Sequence, residues 1–251
     1  MWENSAIGVC AVTEQPESAA GGGSNVPPGL EYLVCTDTLI VSQKVELAEA
    51  IVGVETANKY TVKNGAGQHV YFAVEDSSGA LPTCCSYLRA FNIRVMDSSN
   101  RHEVLHLRRP LRCQNCCYPC WQQELEVSAQ GRLLGTVRQR WSLLRPLLVV
   151  CRPDGSEALH VRGPALRWAA CCGSDFSVLS ADDGEELGFI TKTWSGLARE
   201  LFTDSDRYGI VFPEDLEVDV KATLLGAAFL IDFMFFESSL CIGDCGCCMV
   251  C

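Results

Sequence analysis

One apolar run near the C-terminus, Ala222–Phe236, restricts the fold more than any other segment of the chain. As a helix rising about 1.5 Å per residue the run would reach about 22 Å, whereas the hydrocarbon core of a bilayer is about 30 Å thick. Asp232 lies inside the run, and a carboxylate at mid-membrane costs roughly 2.5–3.5 kcal/mol on insertion scales. Extending the run toward the N-terminus takes in Asp219 and Lys221. We therefore favour a helix buried in a packed domain core, with Leu230 in its interior, and keep a single membrane span as the alternative.

The middle of the chain repeats itself at an offset of 54 residues. The first copy begins Glu103-Val-Leu-His-Leu-Arg-Arg-Pro110, and the second begins Glu157-Ala-Leu-His-Val-Arg-Gly-Pro164. The features shared downstream are a cysteine pair, a valine, a glycine and a tryptophan: Cys116-Cys117, Val127, Gly135 and Trp141, then Cys171-Cys172, Val178, Gly188 and Trp194. The repeat indicates two copies of one structural unit.

Alternating apolar and polar residues predict β-strands throughout this region, as in Phe91–Val95 and Leu125–Val127. Turn-forming pairs such as Asn64-Gly65, Asp154-Gly155 and Asp183-Gly184 separate the strands. We count roughly ten to twelve strand candidates before the apolar run. Barrels of about eight strands are filled by side chains, whereas cans of about eleven strands can hold a central helix. The sequence therefore predicts a mostly β fold, a closed antiparallel barrel around the apolar helix.

Composition limits the functional classes and the domain organisation. The 251 residues carry a formal net charge of −11, which disfavours nucleic acid as a direct partner. The chain has 16 cysteines, and its N-terminus lacks the basic and apolar regions of a signal peptide. We therefore expect the cysteines to face a reducing cytosol as free thiols, metal ligands or acylation sites. Residues 1–29 form a flexible leader containing glycine and proline, residues 30–237 the folded domain, and residues 238–251 a cysteine-rich tail.

Over Pro28–Glu237 the chain resembles the phospholipid scramblase family. The matching stretches are Lys44-Val-Glu-Leu47, Asn58-Lys-Tyr60, Val62-Lys-Asn64, Arg109-Pro-Leu-Arg-Cys113, Cys116-Cys-Tyr-Pro-Cys120, Phe202-Thr-Asp-Ser-Asp206 and Phe229-Leu-Ile-Asp-Phe-Met-Phe-Phe-Glu237. The resemblance implies a Tubby-like fold, a barrel of about twelve strands around a hydrophobic helix. It also implies calcium-stimulated, ATP-independent movement of phospholipids between leaflets, acylated cysteines, and attachment to the cytosolic face of the plasma membrane by lipid or by one disputed type II span. Phospholipids and the membrane are the partners it implies, and homo-oligomers are left open.

This chain departs from the family in three places. It lacks a long proline-rich leader, so SH3 and WW partners are not expected. The stretch at the family's basic nuclear-import signal, Gly188-Phe-Ile-Thr-Lys-Thr-Trp194, retains one lysine, which weakens that role. The cysteine-rich tail has no counterpart that we recognise in the family.

The resemblance places a calcium site on Asp204–Asp215. Numbered as a twelve-residue loop, the segment has aspartates at positions 1, 3 and 12, a glycine at 6, and Tyr, Ile and Phe at 5, 7 and 9: Asp204, Asp206, Asp215, Gly209, Tyr208, Ile210 and Phe212. An EF-hand takes ligands from positions 1, 3, 5, 7, 9 and 12, with glycine at 6. Three carboxylates and a few carbonyls predict weak Ca²⁺ binding, about 10⁻⁴–10⁻³ M. Ile210-Val-Phe212 predicts a strand and not the start of the helix that leaves an EF-hand loop. The alternative is a solvated turn between two strands.

Four cysteines form the pattern CxxCCxxC: Cys113, Cys116, Cys117 and Cys120. Thiolates this close together strain a tetrahedral zinc site, whereas S-acylation needs only exposed thiols near a membrane. We favour acylation, with buried structural thiols and zinc as alternatives. The chain ends Cys248-Met-Val-Cys251, in outline a prenylation box, although cysteine is unusual at its last position. The histidines at equivalent repeat positions, His106 and His160, have no nucleophile motif beside them, so we expect strand-surface residues and no enzymatic bond-making chemistry.

Overall fold

The computed structural model describes residues 26–43, 58–76, 90–112, 122–165, 175–192 and 207–236. A short 3₁₀ helix, Glu31–Leu33, precedes twelve strands and one long helix. The strands are β1 Thr38–Gln43, β2 Lys59–Asn64, β3 His69–Glu75, β4 Phe91–Asp97, β5 Glu103–Arg109, β6 Glu124–Ala129, β7 Arg132–Arg140, β8 Leu147–Cys151, β9 Glu157–Arg162, β10 Phe176–Ser180, β11 Glu186–Thr191 and β12 Arg207–Val211. Helix α1 spans Val218–Ile231 and continues as a π-helical turn, Asp232–Phe236.

The strands form one closed barrel in which every strand pairs antiparallel with its sequence neighbours, and β1 pairs with β12 to close the ring. The predicted closed antiparallel barrel of about twelve strands around a C-terminal helix is confirmed. The repeat is visible in the register, because Val127 lies opposite Gly135 in β6–β7 and Val178 lies opposite Gly188 in β10–β11.

Helix α1 fills the barrel. Every residue from Val220 to Ile231 is buried, so the helix has no solvent-facing stripe and must be surrounded by strands. Aromatic side chains of the helix and its π-helical turn contact one side of the wall, from β12 to β4: Phe229 meets Tyr60 at 5.1 Å and Tyr208 at 6.2 Å between ring centroids, and Phe233 stacks on Phe91 at 4.2 Å. The helix begins four residues before the predicted apolar run and so includes Asp219 and Lys221.

A glycine on the wall lets the helix approach β7 closely. A Cβ atom added at Gly135 would lie 2.5 Å from the carbonyl oxygen of Cys151 and 2.5 Å from Oγ1 of Thr223 on the helix. On the helix side, a Cβ at Gly226 would lie 2.7 Å from a methyl group of Val127 in β6. Small residues on both surfaces therefore set the distance between α1 and this part of the barrel.

The two ends of the barrel differ in how their strands are connected. In an up-and-down barrel, alternate connections lie at the same end. Short turns at residues 65–68, 98–102, 130–131, 152–156 and 181–185 define one end, which we call the turn end. The connections at 44–58, 76–90, 110–123, 141–146, 163–175 and 192–206 define the other, the loop end. Helix α1 enters at the turn end, where Arg132 pairs with Asp219 at 2.8 Å, and its last turns lie at the loop end.

Candidate functional site

The predicted acylation cysteines belong to the connection between β5 and β6, which leaves and re-enters the barrel at the loop end. Cys113, Cys116, Cys117 and Cys120 lie outside the described residues, so their acylation stays a prediction. The structure does describe the two points from which this connection starts and to which it returns, Pro110–Arg112 and Gln122–Glu124.

Hydrogen bonds hold these two points together. The side-chain amide of Gln123 donates to the carbonyl oxygen of Arg112 at 3.0 Å, and Nη1 of Arg112 donates to the carbonyl oxygen of Gln122 at 3.1 Å. Arg112 also forms an ion pair with Glu124. The cysteine-bearing connection therefore begins and ends at one fixed position on the barrel rim.

Arg109 secures this position from inside the barrel. Its side chain is 1% exposed, and its Nε and Nη2 atoms donate to Oε1 of Gln123 at 3.0 and 2.8 Å. Its guanidinium carbon lies 5.5 Å from the centroid of the Phe91 ring, which itself stacks on Phe233 of the helix. The sequence comparison found Arg109 within a family stretch but did not predict its burial, and Gln123 gave no signal because its partners come from other strands.

The described part of the predicted calcium segment consists of strand β12 and the residues that follow it up to Asp215. β12 pairs with β1 on one side and with β11 on the other, and its five residues rise about 16 Å. Tyr208 and Phe212 are each 2% exposed, Gly209 and Ile210 are also buried, and Asp215 is exposed. The side chains at the middle of the segment therefore belong to the barrel wall, whereas an EF-hand loop curls around its ion.

Asp204 and Asp206 lie outside the described residues, so calcium binding by these two aspartates stays a prediction. In the ranges that the structure describes, no group of three or more His, Cys, Asp or Glu side chains is arranged to hold a metal ion.

The residues singled out on the helix are enclosed by the barrel. Ala222 and Leu230 are fully buried, and Asp232 is 4% exposed in the turn after α1. Phe236 ends the π-helical turn. Among the described segments, no helix has both the length and the apolar character needed to cross a bilayer.

Lys221 was not predicted as a structural residue, yet it joins three parts of the fold at the turn end. Its Nζ lies within hydrogen-bond distance of four backbone carbonyl oxygens, at 2.6–3.3 Å, and 5.4 Å from the centroid of the Phe212 ring. The carbonyl groups belong to Leu33, Val34, Thr36 and Glu214. Burial lowers the pKa of Lys221, and nearby acidic groups offset part of this shift.

The two repeat histidines lie on the barrel wall and make equivalent pairs. His106 lies 3.3 Å from Glu103, and His160 lies 2.7 Å from Glu157. The hydrogen bond from His160 is the main reason why the pKa of Glu157 is below its usual value. Residues three positions apart point to opposite faces of a regular strand, but a bulge in each strand, at Val104 and Ala158, brings each pair to one face.

Comparison with known proteins places the chain in one family. A family model described as Scramblase matches residues 18–238. Phospholipid scramblase 2 from Bos taurus is 47% identical over 214 residues, which cover 85% of this chain and 73% of the relative. Phospholipid scramblase 1 from Mus musculus is 48% identical over 214 residues, covering 85% of this chain and 65% of the relative. Phospholipid scramblase 1 from Homo sapiens is 45% identical over 216 residues, covering 86% and 68%.

The chain thus spans about two thirds to three quarters of the length of these relatives. An X-ray structure of an Arabidopsis thaliana protein, AT5G01750, superposes with a TM-score of 0.44 at 13% identity, over 79% of this chain and 94% of that chain. The family match over most of the chain and the identity to its named members show that this chain belongs to the phospholipid scramblase family.

Proposed function

We propose that this chain moves phospholipids between membrane leaflets in both directions, without ATP and faster in the presence of Ca²⁺. The observation that carries the proposal is its 45–48% identity to proteins named phospholipid scramblases, over most of its length. Such movement makes and breaks no covalent bond. It requires only a lower barrier for a polar headgroup crossing the low-dielectric layer, and Ca²⁺ acts by shifting a conformational equilibrium. In this proposal the protein acts at the cytosolic face of the plasma membrane, where acylated cysteines anchor it.

The packing of the barrel limits where such a lipid path lies. Helix α1 occupies the interior, and the wall residues that face it, such as Val127, Val161 and Ile210, are fully buried. A headgroup therefore has no room between the helix and the strands while the barrel is closed. The proposal accordingly places the path along the outside of the barrel, where protein and disturbed lipid meet.

A second candidate is an acylated module that binds lipids or proteins and moves no lipid of its own. The burial of Ala222–Ile231 favours this candidate, because a helix enclosed by a barrel cannot at the same time line a transmembrane path.

The decisive experiment is a leaflet-accessibility assay with the purified full chain in liposomes, with and without Ca²⁺ and without ATP. The scramblase function predicts that labelled lipid equilibrates between leaflets faster than in protein-free vesicles, and faster again with Ca²⁺. Lipid exchange at the protein-free rate, with protein still bound to the vesicles, would establish the binding module instead.

The same assay tests the calcium segment. Asp206→Ala should abolish the response to Ca²⁺ and leave the rate without Ca²⁺ unchanged, whereas Asp182→Ala, at an exposed turn-end aspartate, should retain the full response. Calorimetry should show loss of Ca²⁺ binding only in the first variant. Equal Ca²⁺ binding by wild type and Asp206→Ala would exclude this segment as the calcium site.

A further inference from the structure

The β7–β8 connection, residues 141–146, exposes apolar side chains at the loop end of the barrel. Trp141 is 51% exposed, Leu143 74% and Leu144 65%. Leu111, on the neighbouring β5–β6 connection at the same end, is 65% exposed. Across the described residues, the large hydrophobic side chains exposed at the turn end are fewer and less exposed: Val34 at 44% and Leu133 at 38%.

The base of this connection is anchored in the core, so its apolar tip is held in place. The backbone N–H of Gly163 donates to the carbonyl oxygen of Pro146 at 2.9 Å. A Cβ atom at Gly163 would lie 3.0 Å from the Pro146 ring and 2.9 Å from Phe176, so the three residues pack closely. Phe176 in turn contacts Phe235 of the helix, with 5.5 Å between ring centroids. The exposure of Leu143 and Leu144 therefore belongs to the folded barrel.

Two cations flank the exposed tip. Arg145 lies beside Leu144 in the chain, and Arg162 pairs in register with Leu147, the first residue of β8. Within the part of the chain that the structure describes, neither arginine forms an ion pair. Both are therefore available to a negatively charged partner.

Among the described residues, the turn end of the barrel is predominantly acidic. Its exposed acidic residues, Asp37, Glu103, Asp154, Asp182, Asp183, Glu185, Glu186, Glu214, Asp215 and Glu217, outnumber the basic Arg101, Arg132 and Arg152. Exposed or half-buried basic residues predominate among the described residues of the loop end: Lys59, Arg112, Arg138, Arg145, Arg162, Lys192 and Arg207, alongside the acidic Asp76, Glu124 and Asp175. The ion pairs Arg108–Glu126 and Arg140–Glu157 lie on the wall and add no net charge to either end. An anionic surface would therefore attract the loop end and repel the turn end, which orients the molecule before contact.

We propose that the loop end docks on an anionic lipid surface, with Trp141, Leu143 and Leu144 entering the headgroup–acyl boundary and Arg145 and Arg162 facing lipid phosphates. Tryptophan, leucine and arginine form the combination that anchors proteins at membrane interfaces. A lipid surface accepts exposed apolar side chains without a complementary pocket, and its charge matches the two arginines. This docking rests on the membrane association contained in the proposed function, but it does not require any lipid to be moved.

The test is vesicle cosedimentation of the full chain, made in a host that does not acylate it. Vesicles of phosphatidylcholine alone are compared with vesicles that also contain phosphatidylserine. The apolar variant is Leu143→Ser with Leu144→Ser, and its matched control is Leu133→Ser at the turn end. The charge variant is Arg145→Gln with Arg162→Gln, and its control is Arg94→Gln, an exposed arginine on the wall of β4.

The serine pair should lower the partition coefficient on anionic vesicles at least about tenfold, because each leucine loses the gain from leaving water. The glutamine pair should lower it about 25-fold on anionic vesicles, at roughly fivefold per arginine, and change it little on phosphatidylcholine alone. Leu133→Ser and Arg94→Gln should bind as wild type does. Circular dichroism and thermal melting should show that all variants are folded.

Wild-type partition onto anionic vesicles that neither pair of substitutions reduces would overturn the docking surface, as would an absence of wild-type binding. If wild-type protein does not bind the vesicles, the exposed Trp141, Leu143 and Leu144 would instead be interpreted as a binding surface for another protein. Because binding is measured without a leaflet assay, failed docking can be told apart from failed scrambling: acylated protein could still scramble lipid, and docked protein could fail to do so.

Discussion

Lys221 shows how one charged residue can be a structural part of an apolar core. Its ammonium group has three N–H donors, and four backbone carbonyl oxygens surround it at 2.6–3.3 Å. Those carbonyl groups come from the 3₁₀ helix region before β1 and from the turn before α1. The lysine therefore ties the beginning of the domain to the entry of the helix, and it satisfies backbone groups that would otherwise be buried without a donor.

We predict that Lys221→Met destabilises the fold by about 2–4 kcal/mol, because several buried carbonyl groups lose their donor together. Lys59→Met, at a half-buried lysine that starts β2, should change stability by no more than about 0.5 kcal/mol. Urea unfolding at neutral pH measures both values. A Lys221→Met protein as stable as wild type would show that water or a rearranged loop replaces the ammonium group.

The loss of stability caused by Lys221→Met should also depend on pH. Burial lowers the folded-state pKa of Lys221 below its usual 10.5, with partial compensation by Glu214, Cys35, Asp215 and Asp37. Between the folded-state pKa and 10.5 the unfolded chain therefore binds more protons, so this group's contribution to stability rises with pH in that window. The stability difference between wild type and Lys221→Met, measured by urea unfolding, should therefore widen from neutral pH toward pH 10.5.

At the scale of elements, the helix depends on complete enclosure by the strands. Leu230 is fully buried, and the aromatic neighbour Phe229 reaches β2 and β12 at once. A charge at Leu230 would have no partner and no route to solvent, so Leu230→Asp should cost on the order of 4 kcal/mol or more and unfold the domain. Leu133→Asp, on an exposed strand position, serves as the control and should fold.

Solubility and cooperative thermal unfolding of the two variants distinguish the two roles considered for the helix. A membrane-spanning helix carrying Leu230→Asp would lose insertion while the barrel stayed folded. Recovery of a soluble Leu230→Asp protein with a sharp unfolding transition would therefore contradict the buried helix and support a span.

The elements that the sequence predicted best are those with a local signal. Period-two alternation predicted β4 and β6, and the repeat predicted the equivalence of Val127 with Val178 and of Gly135 with Gly188. The apolar run predicted a buried helix but not its first residue. In the sequence, Asp219 and Lys221 indicated the beginning of the apolar helix. In the fold, Lys221 lies within the helix, and its buried ammonium group donates hydrogen bonds to carbonyl oxygens about 185 residues earlier in the chain.

In the calcium segment, the structure depends on pairing between strands that are distant in the sequence. The apolar Ile210-Val-Phe212 predicted a strand there, but it did not predict that the strand would pair with both β1 and β11. Strand pairing between residues 38 and 211 is a property of barrel closure, and no local pattern reports it. The hydrogen bonds and the ion pair that join Arg112 to Gln123 and Glu124 at the two ends of the β5–β6 connection were not predicted, for the same reason.

At the scale of the whole molecule, the connections at the loop end carry eight of the 16 cysteines. Since one acyl chain gives only marginal membrane binding, several should be needed for stable attachment. Replacing Cys113, Cys116, Cys117 and Cys120 by Ala, or removing thioesters with hydroxylamine, should release protein expressed in an acylating host to the soluble fraction.

Cys35→Ala is the matched control, because this exposed cysteine lies at the turn end and should leave membrane partition unchanged. Fractionation followed by thioester-specific labelling measures both quantities. Undiminished membrane partition of the four-cysteine variant after hydroxylamine treatment would rule out this segment as the principal anchor.

Closure of the barrel between β1 and β12 also determines when the protein can fold. During synthesis β1 is made first, but one of its two partners is β12, and the helix that fills the interior follows β12. A ribosome that has completed eleven strands has produced an open sheet with two unpaired edges, at β1 and β11, and without the helix that fills the core. Such edges are templates for pairing with other chains, so the nascent protein needs protection until β12 and helix α1 are released. Folding is then a single late event in which the helix and the final strand complete the core and the ring together.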